Sequence, residues 1–320
     1  MSASLPLIDF SNFATASTAK RLAIGQEIGA AARDVGFFYL TGHAIDPDLT
    51  EAAFAASAAF FALPQADKAS IAIENSTCHR GWFRIGGEVL DAERQPQGDY
   101  KEGVKIGREL SPEHPRVKAN VPLHGPNQWP KLAGWQATMQ AYYDACECVS
   151  RQLMEGFALS LGLDADYFSP QLTLPMATLG PLYYPPLSGT DDGLSAGAHT
   201  DFGCLTLLAQ RHIAGLEILD KQGVWQGIPV LDGALVVNIG DMLARWSNDL
   251  YASTQHRVIN KSREARYSLA FFFDPDPDAD LSPLPGCLAP GNQANYPPAT
   301  CLSHLLHKIE ESFAYRQKRD

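Results

Sequence analysis

Apolar positions in the first 65 residues switch between two periods, and each period predicts an element. Leu5-Pro-Leu-Ile-Asp-Phe10 is a short apolar run that predicts a strand. Residues 19–32 carry Leu22, Ile24, Ile28 and Ala31 at helical spacing, and Gly36 follows where a helix C-cap favours positive φ. Phe37-Phe-Tyr-Leu40 predicts a second strand, closed by Thr41-Gly-His43. Residues 46–61 read as a helix opened by Asp-Pro and stopped by Leu63-Pro64. The periodicity then lapses: residues 75–130 are rich in Gly, Pro and charge and are expected to form loops. Residues 135–163 are a long amphipathic helix that ends at Gly162.

From about Met176 the pattern changes to short β-like runs between turn residues: 204–209, 216–219, 234–239, 254–259 and 267–273. Short strands in succession, without helices between them, predict an antiparallel sandwich, barrel or jelly roll. A Pro- and Gly-rich stretch then runs to Pro298, and residues 302–316 form a last helix. The chain reads as one unit over 1–320, with an N-terminal α/β part (1–175), a β core (176–275) and a C-terminal loop and helix (276–320).

Composition narrows the function classes. With 320 residues, 45% hydrophobic and 19% charged, the chain has enough apolar surface for a packed core, so disorder is excluded. The formal charge of −11 repels phosphate backbones and anionic lipid, which argues against nucleic-acid or membrane partners. No apolar run approaches the roughly 20 residues of a spanning helix. Met1-Ser-Ala-Ser-Leu-Pro-Leu-Ile-Asp9 has no basic segment before its apolar residues, so a cytoplasmic location is expected. The six cysteines are scattered, and Cys146 and Cys148 form only a C-x-C, so buried free thiols are expected. Composition is silent on oligomeric state.

The candidate chemistry lies in the β region. In Ala198-His199-Thr200-Asp201, positions i and i+2 of an extended chain share a face, so an imidazole and a carboxylate would project together. His256, in the strand-like Ser253-Thr-Gln-His-Arg-Val-Ile259, is the candidate third ligand. Two His and one carboxylate on one face of an octahedron leave three positions open, the donor set of non-haem Fe(II) oxygenases. Ten residues later Arg266 and Ser268 form another i, i+2 pair. A guanidinium aimed into an apolar interior needs an anionic partner, and its fork suits a carboxylate. A keto acid that chelates the metal through one end and meets Arg266 and Ser268 through the other would be 2-oxoglutarate. Each motif alone is weak; their conjunction within one β-rich segment is what points to a site.

On these residues the chain resembles the isopenicillin N synthase-like branch of the Fe(II)/2-oxoglutarate-dependent dioxygenases. Leu5–Phe10, Gly36-Phe-Phe-Tyr-Leu40, Ala62-Leu-Pro64, His79-Arg-Gly-Trp82 and Tyr183-Tyr-Pro-Pro186 are similar to family segments spread over nearly the whole length. The resemblance implies a distorted double-stranded β-helix, or jelly roll, framed by N-terminal helices and a C-terminal helix. It implies that His199, Asp201 and His256 bind Fe(II), and that Arg266 and Ser268, with Tyr184, bind 2-oxoglutarate. It implies oxidation, most simply hydroxylation, of a small molecule by O2 with release of succinate and CO2. Where family members often carry Arg and Asn before Tyr-Pro-Pro, this chain has Gly180 and Leu182. Lys101-Glu-Gly-Val-Lys-Ile-Gly-Arg-Glu109 and Gly240–Asp249 are similar to segments of fungal pyrimidine hydroxylases.

The substrate pocket is expected from residues 75–110, the face opposite Arg266 and the chain after Phe273, with Arg84, Lys105, Phe202 and Phe273 as candidate substrate contacts. Two alternatives keep the fold: an oxidase that takes no 2-oxoglutarate, which would not need Arg266 and Ser268, and a ligand-binding member, which would be expected to lose a metal ligand.

Overall fold

The computed structural model describes residues 5–186 and 194–312. The strands are β1 (Leu7–Asp9), β2 (Phe37–Thr41), β3 (Gly81–Phe83), β4 (Glu102–Gly107), β5 (Met176–Tyr184), β6 (Leu194–His199), β7 (Leu205–Gln210), β8 (Leu216–Leu219), β9 (Trp225–Gly227), β10 (Leu235–Ile239), β11 (His256–Ile259) and β12 (Arg266–Asp274). The helices are α1 (Thr18–Asp34), α2 (Pro47–Phe61), α3 (Gln65–Ala69), α4 (Pro115–Lys118), α5 (Trp135–Ser160), α6 (Asp241–Trp246) and α7 (Cys301–Ser312). Eight strands form one sheet in the order β1-β2-β10-β7-β12-β5-β4-β3, and four form a second, β6-β11-β8-β9. The sheets do not close into a barrel. They face each other across a cavity lined from both, the open jelly-roll arrangement, with helices framing it.

The local chemistry explains the main elements. Ser17 caps α1 by accepting from the Lys20 amide at 3.3 Å. At its other end Gly36, with φ 74°, donates its amide to Ala31 and releases the chain into β2. Gly25 and Gly29 let α1 approach α5 closely: a Cβ at Gly29 would lie 2.7 Å from Ser160 Cβ. Helix α5 buries Trp135, Met139, Tyr142, Cys146, Val149, Leu153 and Phe157, one stripe at 3–4 residue spacing, against the outer face of the large sheet.

β12 lies inside the large sheet, paired with β5 on one side and β7 on the other. Its alternation divides the molecule. Leu269, Phe271 and Phe273 enter the core beneath the helices, while Arg266, Ser268, Ala270, Phe272 and Asp274 face the cavity.

Several expectations are corrected. Residues 75–130 are not loop throughout, because β3 and β4 extend the large sheet beyond β5. The sheet also recruits β1 and β2 through β2–β10 pairing. Among the cysteines, Cys78, Cys146, Cys204 and Cys301 are buried free thiols, whereas Cys148 is exposed and Cys287 half-buried. Two helical residues advance about 200° round the axis, which turns Cys148 away from the stripe that buries Cys146. The final helix is described to Ser312, so its expected extension to 316 lies outside the described residues. No helix of the described residues is long and apolar enough to cross a membrane.

Candidate active site

Pairing between β6 and β11 places His199 directly opposite His256, with ring centroids 4.2 Å apart. β6 ends at His199, and the chain turns through Asp201 before β7. That turn rests on the start of α6: the Asp241 amide donates to the Asp201 carbonyl at 2.7 Å and the Met242 amide to Gly203 at 3.1 Å. Gly240 has no room for a side chain there, since a Cβ would sit 2.2 Å from the Gly203 carbonyl oxygen. Asp201 Oδ1 then lies 3.8 Å from His199 Nε2 and 3.6 Å from His256 Nε2. Three ligand atoms of these residues fall within 4.8 Å of one another, close enough to share an ion.

Neighbouring groups orient all three side chains. His199 Nδ1 is 2.7 Å from the Gly197 carbonyl and His256 Nδ1 is 3.2 Å from that of Thr254. A carbonyl only accepts, so each Nδ1 carries a proton, which leaves Nε2 as the atom that can meet a metal. Asp201 Oδ2 accepts from Thr206 Oγ1 at 2.5 Å and Asn238 Nδ2 at 2.7 Å, which leaves Oδ1 towards the imidazoles. Burial, followed by the adjacent His256, pushes His199 down to about 3, so its ring is neutral near pH 7. Burial opposes ionisation of Asp201, but the two histidines and the Asn238 and Thr206 donors outweigh it and lower its pKa. A charged carboxylate and neutral imidazoles are the protonation states a divalent cation requires.

Arg266, in the same cavity, is 1% exposed. Its Nη2 donates to Gln210 Oε1 at 3.0 Å, and its guanidinium lies 4.7 Å from the centre of the Tyr184 ring. Its Nε and Nη1, and Ser268 Oγ, are buried with no hydrogen-bond partner. Orphaned donors on a buried cation are costly unless a ligand satisfies them, and a carboxylate provides matching acceptors. Burial lowers the Arg266 pKa from its ordinary value, which makes an anionic partner more favourable still.

A second group of buried polar residues in and beside the cavity, the outer cluster, is paired with itself. Lys101 Nζ binds Asp99 and, at 2.8 Å, Glu88 Oε2; Lys105 Nζ is 3.6 Å from Glu88 Oε1. Burial opposes a charge on Glu88, yet Lys101 and Lys105 hold it down to about 2. Asp99 also accepts from the Gly197 amide at 3.2 Å, which ties this cluster to the strand that carries His199.

The cavity therefore brings together His199, Asp201, His256, Arg266, Ser268 and Tyr184, together with Lys105 and Phe202. Two expected substrate contacts lie elsewhere. Arg84 is 68% exposed and 3.9 Å from Glu74, outside the cavity lining, because β3 turns it to solvent. Phe273 is buried in the helix-side core, and Phe272 lines the cavity in its place. The alternation that puts Arg266 and Ser268 inside demands an even-numbered residue there. Sequence reasoning missed Thr206 and Asn238, although each is a polar residue flanked by apolar ones in a strand, and it missed Gln210, Glu88 and Asp99.

Residues 5–132 match the profile of the non-haem dioxygenase in morphine synthesis N-terminal family, and residues 177–275 that of the 2OG-Fe(II) oxygenase superfamily. The chain is 36% identical to the 2-oxoglutarate-Fe(II) type oxidoreductase hxnY of Emericella nidulans over 96% of its length and 90% of that protein. It is 32% identical to a homoarginine-6-hydroxylase of Oryza sativa, covering 91% of this chain and 90% of that one. Among solved structures, a full-length Neurospora crassa protein in complex with alpha-KG and thymine superposes with a TM-score of 0.84 at 31% identity, covering 96% of each chain. With the donor set and the carboxylate-sized demand at Arg266, these likenesses place the chain in the 2OG-Fe(II) oxygenase superfamily, as a 2-oxoglutarate-dependent dioxygenase that uses Fe(II) and O2.

Proposed function

We propose that His199, Asp201 and His256 hold the iron, and that Arg266 and Ser268, with Tyr184 beside them, hold the distal carboxylate of 2-oxoglutarate. A small-molecule substrate occupies the outer part of the cavity, between Phe272, Phe202 and Lys105. The observation that carries this reading is the set of unpartnered, buried polar atoms on Arg266 and Ser268, in the same cavity as the triad. An oxidase that takes no 2-oxoglutarate would have no use for that demand. We further place the protein in the cytoplasm.

When bound, the iron supplies the oxidative chemistry, coupling O2 and 2-oxoglutarate to substrate oxidation with release of succinate and CO2. The chain's own residues do the rest. Thr206 and Asn238 hold Asp201 so that one oxygen serves the metal. The Gly197 and Thr254 carbonyls accept from Nδ1 of His199 and His256 and so turn each Nε2 towards the metal. Gln210 fixes one edge of Arg266 and leaves Nε and Nη1 for the co-substrate. The apolar walls exclude water from the reacting centre.

Succinate release from 2-oxoglutarate, with and without Fe(II), tests the reading before any substrate is known. Iron-dependent succinate formation supports it. Absence of 2-oxoglutarate binding to the iron-loaded protein would refute it, and binding without turnover across a broad metabolite panel would favour a ligand-binding member.

A further inference from the structure

β6 stands at the end of the four-stranded sheet, so among the described residues no strand pairs with its outer edge. Residues 91–99 cover that edge with side chains and backbone. Gln95 Nε2 donates to the Leu194 carbonyl at 2.9 Å, and Asp99 Oδ1 accepts from the Gly197 amide at 3.2 Å. Asp91 packs so closely on Gly197 that a Cβ there would lie 2.4 Å from Asp91 Cβ and 3.0 Å from its amide nitrogen.

Gly197 lies in a bulge. His256 pairs with His199 and Val258 with Ala196, so β6 carries one residue more than β11 between these two pairs. A bulge bends its strand and re-aims the side chains beside it. Here the side chain two residues on is His199, whose Nδ1 donates to the Gly197 carbonyl at 2.7 Å. Gly197 is therefore held at both of its backbone groups, by Asp99 at the amide and by the imidazole of His199 at the carbonyl. Asp99 itself is fixed. It is fully buried, and its second oxygen pairs with Lys101, which also binds Glu88 at 2.8 Å.

Resting on the reading of the site given above, we propose that Asp99, anchored by Lys101, is a positioning residue for the metal centre. It holds the bulge at Gly197 and, through it, the direction in which His199 presents Nε2. The side chain touches neither metal nor substrate; it acts through one peptide group. Removing it leaves a buried amide without its acceptor and a bulge free to relax, which turns the imidazole away from the place that Asp201 and His256 define.

The test is titration of the metal-free full chain with Co(II), read by calorimetry and by the visible spectrum of the bound ion, beside thermal melting of the metal-free protein. Asp99→Ala is expected to weaken Co(II) binding by roughly 10- to 100-fold, the range for groups that orient a ligand, and to shift the Co(II) bands. Asp99→Asn keeps the volume and leaves Lys101 its bond to Glu88, so it serves where the alanine variant does not fold. Its amide sets a donor against either Gly197 or Lys101, and a smaller loss with shifted bands is expected. Gln95→Ala releases the same segment from β6 at Leu194, away from the bulge, and should leave Co(II) affinity and spectrum unchanged whatever it costs in melting temperature. Co(II) affinity and bands like those of the unaltered protein in the folded Asp99 variants would overturn the proposal. An equal loss in Gln95→Ala would overturn it too, because the segment would then only cover an edge. Failure of the unaltered protein to bind Co(II) would overturn the preceding reading of the triad as well, whereas a null effect at Asp99 overturns only this one.

Discussion

The inner and outer ends of the cavity differ in how their polar groups are satisfied. At the inner end Arg266 and Ser268 are buried with donors and a hydroxyl that the protein leaves without partners. At the outer end Glu88, Asp99, Lys101 and Lys105 are also buried, but they neutralise one another. On the reading proposed above, the inner end is built around one charged ligand, which would satisfy atoms the protein leaves unpartnered. The outer cluster satisfies itself, so it does not need a ligand of fixed charge. The contrast fits an enzyme with a constant co-substrate and a separately tunable substrate, and the triad lines the same cavity as both.

The most severe break in this arrangement is at the junction. Asp201→Ala or His256→Ala is expected to abolish iron retention and turnover together, read as iron content per chain and succinate formed. Next comes the inner end. Arg266→Met should weaken 2-oxoglutarate binding by roughly 30-fold or more, the usual consequence of deleting one partner of a buried charged pair. An unchanged affinity would mean that the orphaned donors serve something else. A smaller effect is expected one step back from the metal. Asn238→Ala should cost roughly 10- to 100-fold in metal affinity, the range typical of groups that orient a ligand, with the fold kept as judged by thermal melting.

The smallest effect concerns another buried carboxyl. Asp274 lines the cavity, and burial raises its pKa to about 7, although the Cys204 amide donates to it at 2.7 Å. A carboxyl raised on folding adds stability at low pH that is lost as pH climbs from about 4 through about 7. Metal-free protein should therefore lose stability relative to Asp274→Asn between pH 5 and pH 8. Parallel melting curves for the two proteins would show that Asp274 is ionised throughout.

Much of the site was legible in the sequence because strand alternation is a local rule. Arg266 and Ser268 share a face in any extended chain, and the same rule, carried four residues on, names Phe272 and not Phe273. Thr206 and Asn238 were legible in the same way, as single polar residues in Leu-Thr-Leu and Val-Val-Asn-Ile. They are register partners across β7 and β10, which is why both reach Asp201 Oδ2. The irregular stretch from 75 to 110 followed no such rule. Its charges read equally well as solvated loop residues until β4 paired with β5 and turned Lys101 and Lys105 inward.

The chemistry on offer was already written in the order of residues: two imidazoles and a guanidinium–hydroxyl pair on β strands, and a carboxylate just past the end of β6. Which charges would meet was settled only when the chain folded. His199 faces His256 through strand pairing across 57 positions of chain, and Glu88 meets Lys101 and Lys105 through a sheet edge that no local pattern announces. Periodicity depends on neighbours along the backbone, whereas the partners of a buried charge depend on which distant segments share the core.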